Sequence, residues 1–443
     1  MRLTNFLFKQ VDNSALIIFR IIFGLLCFLE SIGAIFTGWI NRTLIEPQFT
    51  FSFISFEWLQ PLPGNGMYIY YIIMGLFGLF IMLGYKYHVS AFMFTLLWTG
   101  TYLMQKSSYN NHYYLLVLLS AIMIILPAHK NVSIDAKLNP KIKEIAMPNW
   151  CRYIFILQMF IVYTYGSIAK LYPDWLDASV MAILMKSKEH YYFIGEFLQN
   201  ESMHYFLAYG GILFDGLIIP LLLYKPTRKY AFFASIFFHL FNSFVFQVGI
   251  FPYLSLAFAL FFFEPKTIHR IFLKRKPFYE GSDVIIPSYK KPMLAIFAIY
   301  FSVQILLPLR QYVFPQSVLW TEEGHRMSWR MMLRSKSGHT VYYVVDKKTQ
   351  VKTTINLDHY LTPKQKRLAS AKADVIWQFS QILKEDFAKK GQDVSVFVDC
   401  KISVNGRRYI QFINPEVDIA ATKWSAFKHS EWILPPKQDY FTR

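Results

Sequence analysis

Ile161–Trp175, IVYTYGSIAKLYPDW, is an apolar, aromatic run that ends on Lys170 and turns at once through Leu-Tyr-Pro-Asp-Trp. A lysine at the lip of such a run is partly desolvated. Low dielectric disfavours its ammonium form, so the amine can act as a base near neutral pH. The plainer reading is a lysine that stretches from a helix end to the lipid headgroups. What decides between them is which other polar groups share its depth.

Outward from this stretch the chain stays apolar. Of its 443 residues 54% are hydrophobic, 19% aromatic and only 17% charged, which fits a polytopic α-helical membrane domain rather than soluble domains. Runs long enough to cross a bilayer fall at roughly 15–38, 66–84, 89–105, 111–128, 150–170, 203–224, 229–247, 249–264 and 292–310, about nine spans. The first opens behind Asp12-Asn13-Ser14, an N-cap signal, and we read no cleavable signal peptide before it. No inverted repeat of the transporter kind is apparent.

A net charge of +18 would suggest nucleic acid in a soluble protein. Here the cations gather in alternate loops, so membrane topology is the better explanation and no nucleic-acid partner is expected. The loops on the N-terminal side hold about 17 Lys/Arg against about five on the other. That bias puts the N-terminus in the cytoplasm and everything after about residue 310 outside. The host membrane would be a bacterial inner membrane, or the endoplasmic reticulum in a eukaryote. Cys27, Cys151 and Cys400 show no metal-type spacing and suggest no disulfide framework.

Residues 311–443 change character. Alternating stretches such as HTVYYVVD and VSVFVDCKISV predict strands, and Asn405-Gly406 predicts a hairpin turn. Thr362–Lys390 reads as one long helix, opened by Thr362-Pro363 and closed before Gly391. The expected architecture is thus a membrane domain over 1–310 followed by a small α+β extracytoplasmic domain over 311–443.

Several ionisable groups interrupt the spans. Arg20 and Glu30 stand about 15 Å apart on the first, too far to pair. Arg20 and Asp215 come out at similar depth, and an ion pair between them is expected. On the outer side Asn110-Asn111-His112 opens the fourth span, Lys170 closes the fifth, and His239 and Asn242 share a face of the seventh. A histidine on an apolar helix is usually a packed residue bonded to a neighbour. Three sites at one depth argue for a shared pocket. No Ser-His-Asp order, HExxH spacing or Gly-rich phosphate loop is present, so no metal site is expected. A lysine base, histidines and asparagines in an aromatic cavity suit a lipophilic acidic substrate such as a quinol.

At these residues the sequence resembles the vitamin K-dependent γ-glutamyl carboxylase family, whose membrane part is the horizontally transferred transmembrane domain. The resemblance runs through FEWLQPLPGNGMYIYY, SSYNNHYYLLVLL, VYTYGSIAKLYPDWL, FFHLFNSFVFQVGIFPY, EGHRMSWRMMLRSKSG and INPEVDIAATKWSAFKHSEWILPP. It implies that Lys170 deprotonates vitamin K hydroquinone (reduced phylloquinone or menaquinone), which then reacts with O2. The resulting base removes a γ-proton from a peptide glutamate. The carbanion captures CO2, and the quinone leaves as its epoxide. Asn111 and His112 match the family's Asn-His pair, and His239 its later histidine. With Asn242 they would hold the quinol. Trp320, His325, Trp329 and Arg330 would touch the glutamyl peptide, or else form the first strand of a sheet.

The chain departs from animal members in ending at Arg443 and in having His325 where they have tyrosine. Their luminal disulfide has no evident counterpart. These departures touch peptide recognition rather than the membrane residues. The alternatives are a quinol epoxidase that does not carboxylate peptide and, in another class, a transporter or receptor with a polar pocket.

Overall fold

A computed structural model describes residues 2–437 and 439–441; the outermost positions of the two expected domains, Met1 and Arg443, lie outside the described residues. A short helix, Arg2–Phe8, leads into an antiparallel ribbon, β1 (Gln10–Asp12) on β2 (Ala146–Pro148). Nine apolar helices then carry the membrane part. They are α1 (Ser14–Phe36), α2 (Gly66–Leu83), α3 (Tyr87–Met104), α4 (Asn111–Ile125), α5 (Trp150–Ile168), α6 (Glu201–Leu223), α7 (Arg228–Phe246), α8 (Phe251–Phe258) and α9 (Lys290–Leu309).

Six of them, α1, α2, α5, α6, α7 and α9, are long and apolar enough to cross a membrane. The other three expected spans fall short of that. Helix α3 carries His, Ser, Thr, Trp and Tyr, α4 has 15 residues, and α8 has 8 before a tighter turn. Length and composition therefore do not establish nine spans.

The loops sort to two ends. At one, Asp12 caps α1 through Ser14 N at 2.9 Å and takes Lys276 Nζ at 2.8 Å, so the N-terminal segment and the 266–291 loop meet. Asp135 receives the backbone N–H groups of Lys86 and Tyr87 at the start of α3. At the other end Gln48, Lys106 and Asp174 each bond the C-terminal region, to His359, Asp374 and Arg407. The expected Arg20–Asp215 pair is not formed. Arg20 donates to the Ala128 and Val132 carbonyls at the first end, which supply acceptors without a second buried charge.

Helices α1 and α2 approach closely through glycine, as membrane helices do where small residues let backbones touch. A Cβ at Gly24 would collide with the Met82 backbone, and one at Gly78 would stand 2.7 Å from Phe28 N. Gly78→Leu should therefore force the helices apart. We expect a loss of about 1–3 kcal/mol, read as a lower melting temperature of the detergent-purified protein; an unchanged melt would contradict this packing.

The C-terminal region is an antiparallel sheet of four strands, β3 (Lys336–Asp346), β4 (Lys352–Thr354), β5 (Val394–Val404) and β6 (Ile410–Ile413), in the order β4-β3-β5-β6. Both predicted strands are present, and Asn405 (φ 53°) and Gly406 (φ 73°) take the left-handed conformations a tight turn requires. The predicted single helix is two, α10 (Pro363–Ala369) and α11 (Ala373–Lys389). The chain bends at Ser370-Ala371-Lys372 because the Ser370 carbonyl is taken by Thr340 Oγ1 of β3. Thr362 and Gln365 form the reciprocal capping box at the start of α10. Phe51, from the loop after α1, is buried in this domain's core, which is therefore not built from the C-terminal residues alone.

A buried ionic cluster ties the linker to the sheet. The Glu322 carboxylate accepts from Arg334 Nε at 2.9 Å and Lys372 Nζ at 2.5 Å. Burial alone would raise its pKa, but Arg334, Lys372 and Lys336 hold it well below the usual range. Burial draws Lys336 down to about 7; its Nζ donates to the Trp320 carbonyl at 2.6 Å and stands 4.2 Å from the Phe412 ring.

Candidate active site

Lys170 follows the last turn of α5, and its side chain turns back into the bundle rather than out to the headgroups. Its Nζ donates to the Gly166 carbonyl at 3.0 Å and lies within hydrogen-bond reach of the Asp215 carboxyl group of α6. Lys170 is 9% exposed and Asp215 7%. The approach is tight at Gly166, where a Cβ would sit 3.1 Å from Asp215 Oδ2, while one at Gly211 would make ordinary contact with Lys170 Cε at 3.7 Å. The Trp175 ring lies 5.6 Å from Nζ, itself fixed by a bond from Nε1 to the Ala208 carbonyl.

Lys170 and Asp215 open on a cavity of about 370 Å³ that also receives His112, Tyr163, His239 and Asn242. The groups come from α4, α5, α6, α7 and the turn after α5. His239 Nε2 and the Tyr163 hydroxyl are 2.9 Å apart. His112 stacks on Phe251 at 4.0 Å and makes no side-chain hydrogen bond to the described residues. His239 meets the same Phe251 edge-on at 6.1 Å, so that ring braces both imidazoles. Asn242 Nδ2 donates to the Phe238 carbonyl one turn back. Phe214 and Phe238, stacked at 3.7 Å, belong to the walls. A few fixed polar groups in an otherwise apolar chamber can orient a lipophilic molecule and exchange a proton with it.

Four of the predicted site residues thus converge: Lys170, His112, His239 and Asn242. Asn111 does not face the cavity. Its Nδ2 donates to the Arg330 carbonyl at 2.9 Å while its Oδ1 accepts from Tyr109, so it pins the linker that follows α9. That linker is not the strand allowed for at 320–329. Glu322, Met327, Trp329 and Met332 all adopt positive φ, from 53° to 62°, a costly conformation for non-glycine residues that packing must impose.

The predicted peptide contacts are dispersed along it. Trp320 is fully buried in the core of the C-terminal region, its Nε1 donating to the Leu434 carbonyl. Trp329 is buried 5.1 Å from Tyr114. His325 lines a separate, charged cavity of about 170 Å³ with Lys106, Arg310, Arg326 and Asp374. Burial first, then Arg334, hold His325 well below the ordinary histidine value, so it is neutral at pH 7. Arg330 lines a third cavity between α5 and α9. Only Met331 and Met332 reach the Lys170 chamber.

Sequence reasoning missed Asp215 and Tyr163 as members of the site. The glycines at 166 and 211 were the available signal, since small residues mark where two membrane helices touch. Among the described residues no cluster of three or more His, Cys, Asp or Glu could hold a metal.

An apolar helical bundle with six helices long and apolar enough to cross a membrane, and an α+β region at one end, defines an integral membrane protein. The family model of the HTTM domain matches residues 8–266, and that of the vitamin K-dependent gamma-carboxylase lumenal domain matches residues 289–439. The chain belongs to the vitamin K-dependent gamma-carboxylase family. No solved structure matches it.

Proposed function

We propose that the protein oxygenates vitamin K hydroquinone to its epoxide in the Lys170 chamber and uses that reaction to carboxylate glutamate in a peptide. The observation that carries this is the convergence of Lys170, His112, His239 and Asn242 on one apolar cavity in a chain of this family. The residues fit a quinol: the walls are aromatic and the polar groups few, and the His112 ring nitrogens make no hydrogen bond to the described residues. When bound, the hydroquinone supplies electrons to O2 and provides the strong base that carboxylation of glutamate by CO2 requires.

The protein's own part is proton handling and exclusion of water. Lys170 Nζ takes a hydroxyl proton while Asp215 holds the proton the two groups share, so the amine is free to accept. His239, fixed by Tyr163, and His112, fixed by Phe251, orient the two oxygen-bearing ends. The phenylalanine walls keep water from the reacting atoms.

Incorporation of labelled carbonate into a glutamyl peptide by purified protein, with quinol epoxide assayed alongside, tests the reading; neither product would refute it. Epoxide without label would favour an epoxidase that does not carboxylate peptide. The placement of His325 and Arg330 outside the Lys170 chamber is the observation on that side.

If the His325 cavity receives the glutamyl side chain, Arg310 supplies the charge, since Lys106 and Arg326 are paired with Asp374, and neutral His325 a hydrogen bond. His325→Ala should then raise the apparent KM for peptide and leave peptide-independent quinol oxidation intact. Equal loss of both would mean a damaged fold.

Orientation is proposed from the loop charges: N-terminus in the cytoplasm, α+β domain outside. Lys276 is buried on Asp12, so a labelling cysteine belongs at exposed Lys274 instead. An impermeant thiol reagent added outside should miss a cysteine at Lys274 and modify one at exposed Lys348; the reverse pattern overturns the orientation.

A further inference from the structure

The third cavity, about 320 Å³, lies between α5 and α9, behind the helix that carries Tyr163 and leads to Lys170. Its lower walls are apolar: Leu157, Phe160, Ile161 and Ile168 from α5, Ile305 and Leu309 from α9. Its upper end holds Arg330, Gln311 and Tyr312. Arg330 is 9% exposed, yet its side chain makes no hydrogen bond or ion pair with any described residue, and Nε is buried without a partner. Gln311 Oε1 is likewise buried and unpartnered. Burial, then repulsion by Arg334, lower the Arg330 pKa to about 10, so it is a cation at pH 7. A buried cation without a counter-ion is costly, and an anion brought by a ligand would supply one.

We infer that this groove binds one anionic phospholipid, its phosphate on Arg330 and an acyl chain lying between α5 and α9. The dimensions suit that occupant. From Leu157 to Ile168 the helix rises about 16 Å, close to half the roughly 30 Å hydrocarbon core, so the groove is one leaflet deep. Helix α9 turns much of its surface outward, with Ile299 66% and Leu306 63% exposed, and the groove opens to lipid. Tyr312, 70% exposed, stands at the mouth where interfacial aromatics belong. The Tyr165 hydroxyl bonds the Ile305 carbonyl at 2.6 Å and holds the two helices together beside the chain. A peptide suits the site poorly, because its backbone groups would find no partners along these walls. The inference is independent of the carboxylase reading.

The test uses full-length protein purified in detergent, incubated with phosphatidylglycerol or phosphatidylcholine of identical chains, and native mass spectrometry to count bound lipid. Wild type should retain one phosphatidylglycerol in preference to phosphatidylcholine. Arg330→Gln should lower retention about tenfold, the worth of a charge-assisted hydrogen bond, and Arg330→Lys should restore part of it. Thr164→Trp fills the groove while leaving the arginine in place, so it should also expel the lipid and serves if Arg330→Gln fails to fold. Inorganic phosphate should not displace the lipid; displacement would make this a free-phosphate site and overturn the proposal. Equal retention of phosphatidylglycerol by wild type and a folded Arg330→Gln would overturn it too. So would loss of glutamyl-peptide affinity in Arg330→Gln with lipid retention unchanged, which would return Arg330 to the peptide.

Discussion

Replacing Lys170 with alanine is expected to lower quinol-epoxide formation by about 10²–10⁴-fold, the usual cost of losing a general base. Quinol binding should survive, because the apolar walls supply most of it. Arginine should not rescue, since its pKa stays above about 12 and it cannot take a proton. An added small primary amine should partly restore the alanine variant, and more so as pH rises and free base accumulates. Asp215→Asn provides the companion measurement: it leaves the amine in place but removes the acid that shares its proton, so epoxidation should fall while Lys170→Ala added to it costs little more. Near-normal epoxidation by Lys170→Arg would sink the catalytic role and leave the lysine as a structural partner of Asp215.

Glu322→Gln is expected to destabilise the C-terminal α+β region by about 3–5 kcal/mol, because Arg334 and Lys372 would remain buried around a neutral amide. The carboxylate, 8% exposed, has a folded pKa well below its ordinary value of 4.5. Its stabilisation is therefore fully present above about pH 4.5 and is lost as pH falls toward the folded value. Asp374 shifts the same way: burial opposes, but Arg326 and Lys106 lower it. Lys336 has the opposite consequence. Its folded value of about 7 lies below the ordinary 10.5, so it costs stability below pH 7, a cost that fades as pH rises toward 10.5. These three groups should thus raise the wild-type melting temperature as pH climbs from acid to about 4.5, leave it level to about pH 7, and raise it again between pH 7 and 10.5. The Gln variant should differ most from wild type at neutral pH and converge with it in acid. A melt at pH 7 within error of wild type would refute the role given to this cluster.

Sequence by itself determined what depends on pattern along one element. Apolar runs located helices, six of them long and apolar enough to cross a membrane, because a segment in hydrocarbon must be long and apolar wherever its neighbours lie. Alternation marked β3 and β5, and Thr362, Asn405 and Gly406 announced a cap and a turn through local backbone chemistry. The common depth of Lys170, His112, His239 and Asn242 was legible too, since depth follows from position along a span.

Only the tertiary structure decided who faces whom. Asp215 sits in mid-helix, and nothing local distinguishes a partner in Arg20 from one in Lys170; the choice fell to the α5–α6 contact, tight at Gly166. Asn111 and His112 are adjacent in sequence, yet one step around a helix of 3.6 residues per turn sends the first to the linker and the second to the chamber. In the same way the linker's positive-φ residues, which no propensity announces, send His325, Arg330 and Met331 into three different cavities. Rotation about a helix axis and the path of an irregular segment are set by packing against distant residues, and that information is not local to either.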